Sequence, residues 1–401
     1  MTADWRSRID AAVDDAQERI VALRRQMHSH PEPSGEELQT SLRLYQLFDE
    51  IGLGVRMGPE GCGVMVDSRN SNAARRIALR ADIDALRIED QKQAHYRSTV
   101  PQVMHACGHD AHTATVYGAL VALDRSECDR ALPWPVTWRG IFQPAEETSY
   151  GARSMVDAGA LEGVSAILSM HVDPMRRAGT IGVRSGVLTA SCDAMRVVVR
   201  GRGGHAARPH ESNDPIAAAA ELISTLYQFV PRATDSQDAV VVSFGQIHGG
   251  QNSNVIPEEV VLEGTVRTLN PGVRAKTIRH IRTLAQGIEQ VTGTKLGLIF
   301  DHGCGSVCND DELTKLVTKI ASDLLGSEQV ELILRPSMGS EDFAAYLEHV
   351  PGTMFRLGAA GDDPPWPGLH TPTFDVDERC LAVGAKILAR SVVEWSKPSE
   401  T

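Results

Sequence analysis

Four residues able to bind a metal fall within eight positions of the segment MHACGHDAH: His105, Cys107, His109 and His112. Cys107 and His109 flank a glycine on what reads as a turn before the helix TATVYGALVAL, where a thiolate and an imidazole can point the same way. A single cysteine beside a histidine is more often a buried thiol next to an ordinary imidazole; the density of candidates lowers the weight of that reading. His105 and His112 are equally candidates for structural or hydrogen-bonding roles, since a metal-bound imidazole needs a partner for its second nitrogen.

A second cluster is Glu146-Glu147, which follows Gln-Pro-Ala. Two adjacent glutamates usually form a solvated loop. Beside a metal they gain a division of labour, one carboxylate coordinating while its neighbour takes a proton from water. His171 closes the apolar run AILSM and by itself reads as a satisfied strand histidine, and His370 in GLHTPTFDVDE carries no signal of its own.

Several elements must position these groups. A helix is expected over residues 5–28, ending before the proline- and glycine-broken loop HSHPEPSGEE. The runs RRIALRADIDAL, VTWRGIFQPAEE and SAILSMHV read as short buried strands that end in polar groups. Asp82, Glu146, Glu147 and His171 then sit at strand ends, where ligands gather in open α/β sheets. After residue 187 the pattern changes to strand DAMRVVVRG, a helix capped by Asp214 and Pro215, strands AVVVSFGQI and VVLEGTVRTL, a helix with Ile278, Ile281, Leu284, Ile288 and Val291 on one stripe, and strand KLGLIF. That order is the β-α-β-β-α-β split unit of ferredoxin-like domains. The expected organisation is a catalytic α/β domain over 1–187 and 301–401, its mixed sheet flanked by helices, with the ferredoxin-like domain inserted at 188–300.

A length of 401 residues favours two domains over one. Charged residues at 23% and hydrophobic residues at 42% exclude a disordered chain. The formal charge of −12 opposes nucleic-acid binding and leaves no polybasic patch for a membrane. Seven cysteines, an odd number without a CxxC pair, argue against a disulfide framework. The first twenty residues mix acids and bases and lack the apolar stretch of a secretory leader, so a cytoplasmic location is expected.

The segments RRQMHSHPEPSGEE, RADIDAL, MHACGHDAH, FQPAEE, SMHV, GGHAARPHESNDPI, NVIPEEVVLEGTVRTL, MGSEDFA and LHTPTFDVDE resemble, in this order, the motif series of the aminoacylase and glutamate carboxypeptidase metallopeptidase family. The resemblance spans residues 20–380 and falls in the amidohydrolase branch, with hippurate hydrolases, indoleacetyl-amino-acid hydrolases and N-acyl-amino-acid amidohydrolases. It implies a zinc-exopeptidase-like catalytic domain, an inserted lid that also forms a homodimer, and two divalent ions per subunit, zinc or manganese, with cobalt or nickel as further options. Position by position, Cys107 matches a thiolate bridging the metals, and His109, Glu147, His171 and His370 match the other ligands. Glu146 matches the general base and Asp84 the carboxylate that supports the site. Asp82 stands where other branches carry a metal-binding histidine and is left outside the ligand set. In the insert, His205 matches a histidine that reaches the scissile carbonyl, while Asn254 and Arg267 match residues that hold the substrate carboxylate. Arg87 replaces the family's usual proline, and GQNSNVIP is polar where an alanine is common.

The expected activity is hydrolysis of the amide bond of N-acyl amino acids, small-molecule substrates, by metal-activated water. A dipeptidase or carboxypeptidase would need the same metals. Cys107 acting as a nucleophile, with activity that survives chelators, and a catalytically silent binding protein are the rivals from other classes.

Overall fold

The computed structural model describes residues 4–70, 75–363 and 365–398. The chain forms two compact units, one built from residues up to Gly186, Cys308–Leu334 and Asp342 onward, the other from Val187–Val307 and Arg335–Glu341.

In the first unit, among the described residues, an eight-stranded mixed sheet is centred on four parallel strands: Trp138–Gln143, Arg76–Asp82, Val164–Arg177 and Gly352–Ala360. These are the near-continuous apolar runs of the sequence, and burial on both faces is what such runs require. The helices Trp5–Ser29, His109–Cys128 and Arg379–Trp395 pack against one another, and their buried side chains, Ile20, Leu120 and Leu388 among them, share one core with Leu79, Leu168 and Leu357 of the sheet. Asp82 ends its strand and Glu146 follows three residues after another, but His171 lies inside a strand that continues to Arg177.

The second unit has an antiparallel sheet in the order Val240–Gly249, Glu259–Thr268, Ser191–Arg200, Lys295–Cys304. With the helices Pro215–Ala233 and Pro271–Thr292 this is the β-α-β-β-α-β connection. Met195, Val197 and Val199 alternate inward and share a separate core with Leu222, Leu226, Leu262 and Ile281. Asp214 and Asn270 cap the two helices, each side chain accepting from two backbone N–H groups of the first turn. Val291 departs from the expected stripe and is 84% exposed. Steps of about 3.6 residues from Ile288 land on half-buried Thr292 instead, and Gly293 ends the helix there in the left-handed conformation. Among the described residues, no helix is long and apolar enough to cross a membrane.

Candidate metal centre

Each turn that presents a candidate ligand contains a residue with positive φ. Gly108, between Cys107 and His109, has φ 87°, and a Cβ there would lie 2.4 Å from Val172 Cγ2, so neither the backbone nor the space admits a side chain. Ala145, just before Glu146, has φ 54°, and His370 itself has φ 60°. For non-glycine residues such conformations cost about 1–3 kcal/mol and persist only where the surroundings hold them. Those holds are visible: Ala145 N–H donates to buried Glu37 at 2.8 Å, and His370 N–H donates to the Ala106 carbonyl at 2.8 Å. Asp110, at the start of the helix that follows His109, accepts from His28 Nδ1 at 2.7 Å and lies 2.8 Å from Arg24 Nε, anchoring that helix against the N-terminal one.

The side chains converge. Ligand atoms of Cys107, His109 and His171 lie within 4.8 Å of one another, and so do those of Cys107, Glu147 and His370. Cys107 belongs to both groups, the arrangement a bridging thiolate needs. Cys107 Sγ is 3.5 Å from His171 Nε2, and Glu147 Oε1 is 3.4 Å from His370 Nε2. His109 Nδ1 donates to Asp84 Oδ1 at 3.0 Å and His171 Nδ1 donates to the Val172 carbonyl at 2.7 Å. Each imidazole therefore has its Nδ1 engaged and keeps Nε2 for another partner, the orientation a metal-bound histidine takes. His109 Nε2 is buried without a hydrogen-bond partner, a costly state for a polar atom unless an ion completes it. The donor set of one thiol, three imidazoles and one carboxylate suits divalent transition metals.

Burial and neighbouring charges shift the candidate ligands in different directions. Burial pushes the Cys107 thiol up to about 12, so a cation is needed to make it a thiolate. Burial likewise pushes His171 well below the usual imidazole range, helped by Arg356 and His112, leaving it neutral as a ligand must be. For His109 burial acts downward, yet Asp82, Cys107 and Asp84 outweigh it and hold the imidazole well above its ordinary value. Burial would raise Asp84, but His109, the Ser34 hydroxyl and the Glu147 N–H keep its carboxyl below the usual range. Asp84 thus orients His109 and fixes the backbone of Glu147, the N–H of which donates to it at 3.0 Å.

Asp82, His109 and His112 also bring ligand atoms together. Two of these residues are already committed. Asp82 accepts from His112 Nδ1 at 2.6 Å and from Arg80 at 2.8 Å, while His112 Nε2 accepts from Val172 N–H at 2.9 Å. With both nitrogens of His112 and both oxygens of Asp82 in use, this group reads as scaffold.

Glu146 is 8% exposed, and its Oε2 lies 4.0 Å from His109 Nε2. Its Oε1 accepts from Asp342 N–H at 3.3 Å. Asp342 in turn accepts from Arg80, Gln143 and Ala152 N–H, so Glu146 is positioned by a buried network. Asp342, Glu37 and Ser34 were not singled out from the sequence as site residues, although MGSEDFA and HPEPSGEE contain them. The remaining candidates belong to the second unit: exposed His205 pairs with Val255 across a two-stranded ribbon, and the Asn254 carbonyl accepts from Ala206 N–H at 3.1 Å. Arg267, on the strand Glu259–Thr268, donates to the Met338 carbonyl at 3.0 Å.

A mixed sheet with helices and two trios of candidate ligands that share Cys107 fit the dinuclear metallohydrolase class. Residues 78–394 match the model of peptidase family M20/M25/M40, and the chain belongs to that family. It is 38% identical over 376 residues to an N-acetylcysteine deacetylase of Bacillus subtilis, covering 94% of this chain and 96% of the relative. It is 33% identical over 393 residues to thermostable carboxypeptidase 1 of Saccharolobus solfataricus, covering 96% and 97%. A solved Bacillus subtilis structure, a dinuclear metal-binding peptidase of the M20 family, superposes with a TM-score of 0.80 at 34% identity, covering 95% of this chain and 99% of that one.

Proposed function

We propose that the protein is a metal-dependent amidohydrolase that cleaves N-acyl amino acids to a carboxylic acid and a free amino acid. The observation that carries this reading is the pair of ligand trios sharing Cys107, with Glu146 beside them. Cys107, His109, Glu147, His171 and His370 would hold two divalent ions, of which zinc, manganese, cobalt and nickel all accept such donors. When bound, the ions supply Lewis acidity to water and to the substrate carbonyl. Glu146 takes a proton from the attacking water and passes it to the leaving amine. His205 donates to the developing oxyanion. Arg267 and Asn254 hold the carboxylate of the amino-acid half, Arg267 by its planar guanidinium fork. The inserted unit also serves as the contact of a homodimer, and the substrates are small molecules of the cytoplasm.

The relative named a carboxypeptidase favours one rival, cleavage of unblocked peptides with the same metals. Purified enzyme loaded with zinc or manganese and offered N-acyl amino acids beside free dipeptides decides between them. Preferential release of amino acid from the acylated series, lost on chelation and restored by metal, is the expected result. Preference for free dipeptides overturns the acyl reading, and full turnover by metal-free protein overturns the metal reading.

A further inference from the structure

Of the five candidate ligands His370 is the most exposed, with 53% of its side chain open to solvent. It stands in a turn, and its bond to the Ala106 carbonyl fixes only one point of the loop that carries it. A few residues further on, that loop is held by a ring of buried charged groups. We propose that Arg24 and Lys92 position His370 through the backbone of this loop, and thereby decide whether the trio of Cys107, Glu147 and His370 retains an ion; this rests on the dinuclear reading above.

The ring is closed. Arg24 Nε lies 2.8 Å from Asp110, the residue after His109, and Arg24 Nη2 donates to Asp375 at 2.6 Å. One residue back, the Phe374 carbonyl accepts from Lys92 Nζ at 2.8 Å. Lys92 Nζ is also 2.8 Å from His28 Nε2, and His28 Nδ1 is 2.7 Å from Asp110, which completes the circuit. An ammonium has no lone pair to offer, so Lys92 donates to Nε2, and the imidazole proton sits on Nδ1 and goes to Asp110. Arg24, His28, Lys92 and Asp110 are all buried.

The loop is gripped beyond the ring as well. The buried Phe374 ring lies against Gly108, where a Cβ would meet it at 3.3 Å, so the loop touches the turn between Cys107 and His109. Gln91 N–H donates to the Pro372 carbonyl at 2.9 Å and the Tyr96 hydroxyl to Asp375 at 2.8 Å. Burying so many charges is a poor route to stability, because apolar side chains of similar volume often hold segments together as well. What charged hydrogen bonds add is direction: three nitrogens of one planar guanidinium meet Asp110, Asp375 and Glu378, which an ammonium on a flexible stem cannot reproduce. His109 does not share this dependence. It has Asp84 at 3.0 Å, and Asp110 keeps His28 when Arg24 is changed, so the ring acts on one trio and not on the other.

The test is equilibrium dialysis of metal-free protein against buffered cobalt(II), with bound metal counted by elemental analysis. Arg24→Lys is expected to weaken the second equivalent about 10- to 100-fold, the range for losing an outer partner of a ligand, and to leave the first unchanged. Lys92→Met is expected to do the same, and it carries the test if Arg24→Lys fails to fold. Arg390→Lys disturbs another buried arginine, which pairs with Asp10 of the N-terminal helix and has no place in the ring; both equivalents should bind as in wild type. In a His370→Ala background, where the second equivalent is already weak, Arg24→Lys should add no further loss. Unchanged binding in both ring variants, equal weakening of both equivalents, the same loss in Arg390→Lys, or additive losses from Arg24→Lys and His370→Ala each overturn the assignment and leave the dinuclear reading standing. Wild-type protein that takes up fewer than two ions overturns both.

Discussion

In the first unit Cys107, His109, Glu146 and His171 are each at most 8% exposed, and their second atoms are held by Asp84, Val172 and Asp342. In the inserted unit His205 and Asn254 are exposed and Arg267 is half-buried, with partners that are main-chain groups of their own unit. The contrast separates two physical tasks. Groups that bind ions and move protons must be placed before the substrate arrives and shielded from competing water, which demands burial and a second layer of hydrogen bonds. Groups that bind a charged substrate gain from staying hydrated and reachable until it comes.

The largest expected effect lies in the buried set. Glu146→Gln should lower turnover by about 10² to 10⁴, the range for losing a general base, while metal content by elemental analysis stays at the wild-type value. An amide preserves the shape and can still accept from Asp342 N–H, but it cannot take a proton. Lost metals, or turnover near wild type, would mean that Glu146 and Glu147 do not divide the work in this way.

Next comes His205→Ala, expected to cost about 2.7–4 kcal/mol of transition-state stabilisation, the range for one oxyanion donor. Because His205 is exposed and belongs to the other unit, metal affinity and thermal stability should not move. Mixing this variant with Glu146→Gln protein asks whether the histidine is shared between subunits. Activity regained in verified heterodimers supports sharing; none regained confines His205 to its own chain.

Asp84→Ala should weaken metal binding about 10- to 100-fold, as loss of an outer carboxylate partner does, because His109 loses its Nδ1 acceptor and Glu147 N–H loses its own. Competition with a chromogenic chelator measures it. An unchanged affinity would show that burial alone holds the ligands in place.

Legibility in the sequence followed the same division. The candidate ligands Cys107 and His109 stood out because four candidates crowd eight positions, and the strands stood out because parallel strands buried on both faces are apolar runs. The positive φ of Ala145 and His370 left no trace, since neither is a glycine and only the surrounding fold imposes the conformation. That Asp82 and His112 are consumed by each other, Arg80 and Val172 depends on contacts between distant segments. His171 was expected to end its strand, and the bulge after it, signalled only by Pro174, let the strand run on to Arg177. The ribbon of Gly204–His205 and Val255–Ile256 is two residues on each side, too short for any periodicity to show. The segment Arg335–Glu341, placed with the inserted unit, lies in the interior of what patterning alone assigned to the catalytic domain.

The smallest effect tests the separateness of the two cores. Asp214 caps the helix Pro215–Ala233 by accepting from Ile216 and Ala217 N–H, and replacing it by Ala should cost about 1 kcal/mol, the usual value of a cap. That helix buries Leu222 and Leu226 in the core of the inserted unit, which shares no residue with the core of the first unit. All five tryptophans, at positions 5, 134, 138, 366 and 395, lie in the first unit, so their fluorescence reports its unfolding alone, whereas far-ultraviolet circular dichroism sees the helices of both. In Asp214→Ala the dichroism transition should acquire an earlier component while the fluorescence midpoint and the metal affinity stay where they are. If both signals shift together, the units unfold as one cooperative body and the buried site draws stability from the domain that carries none of its ligands.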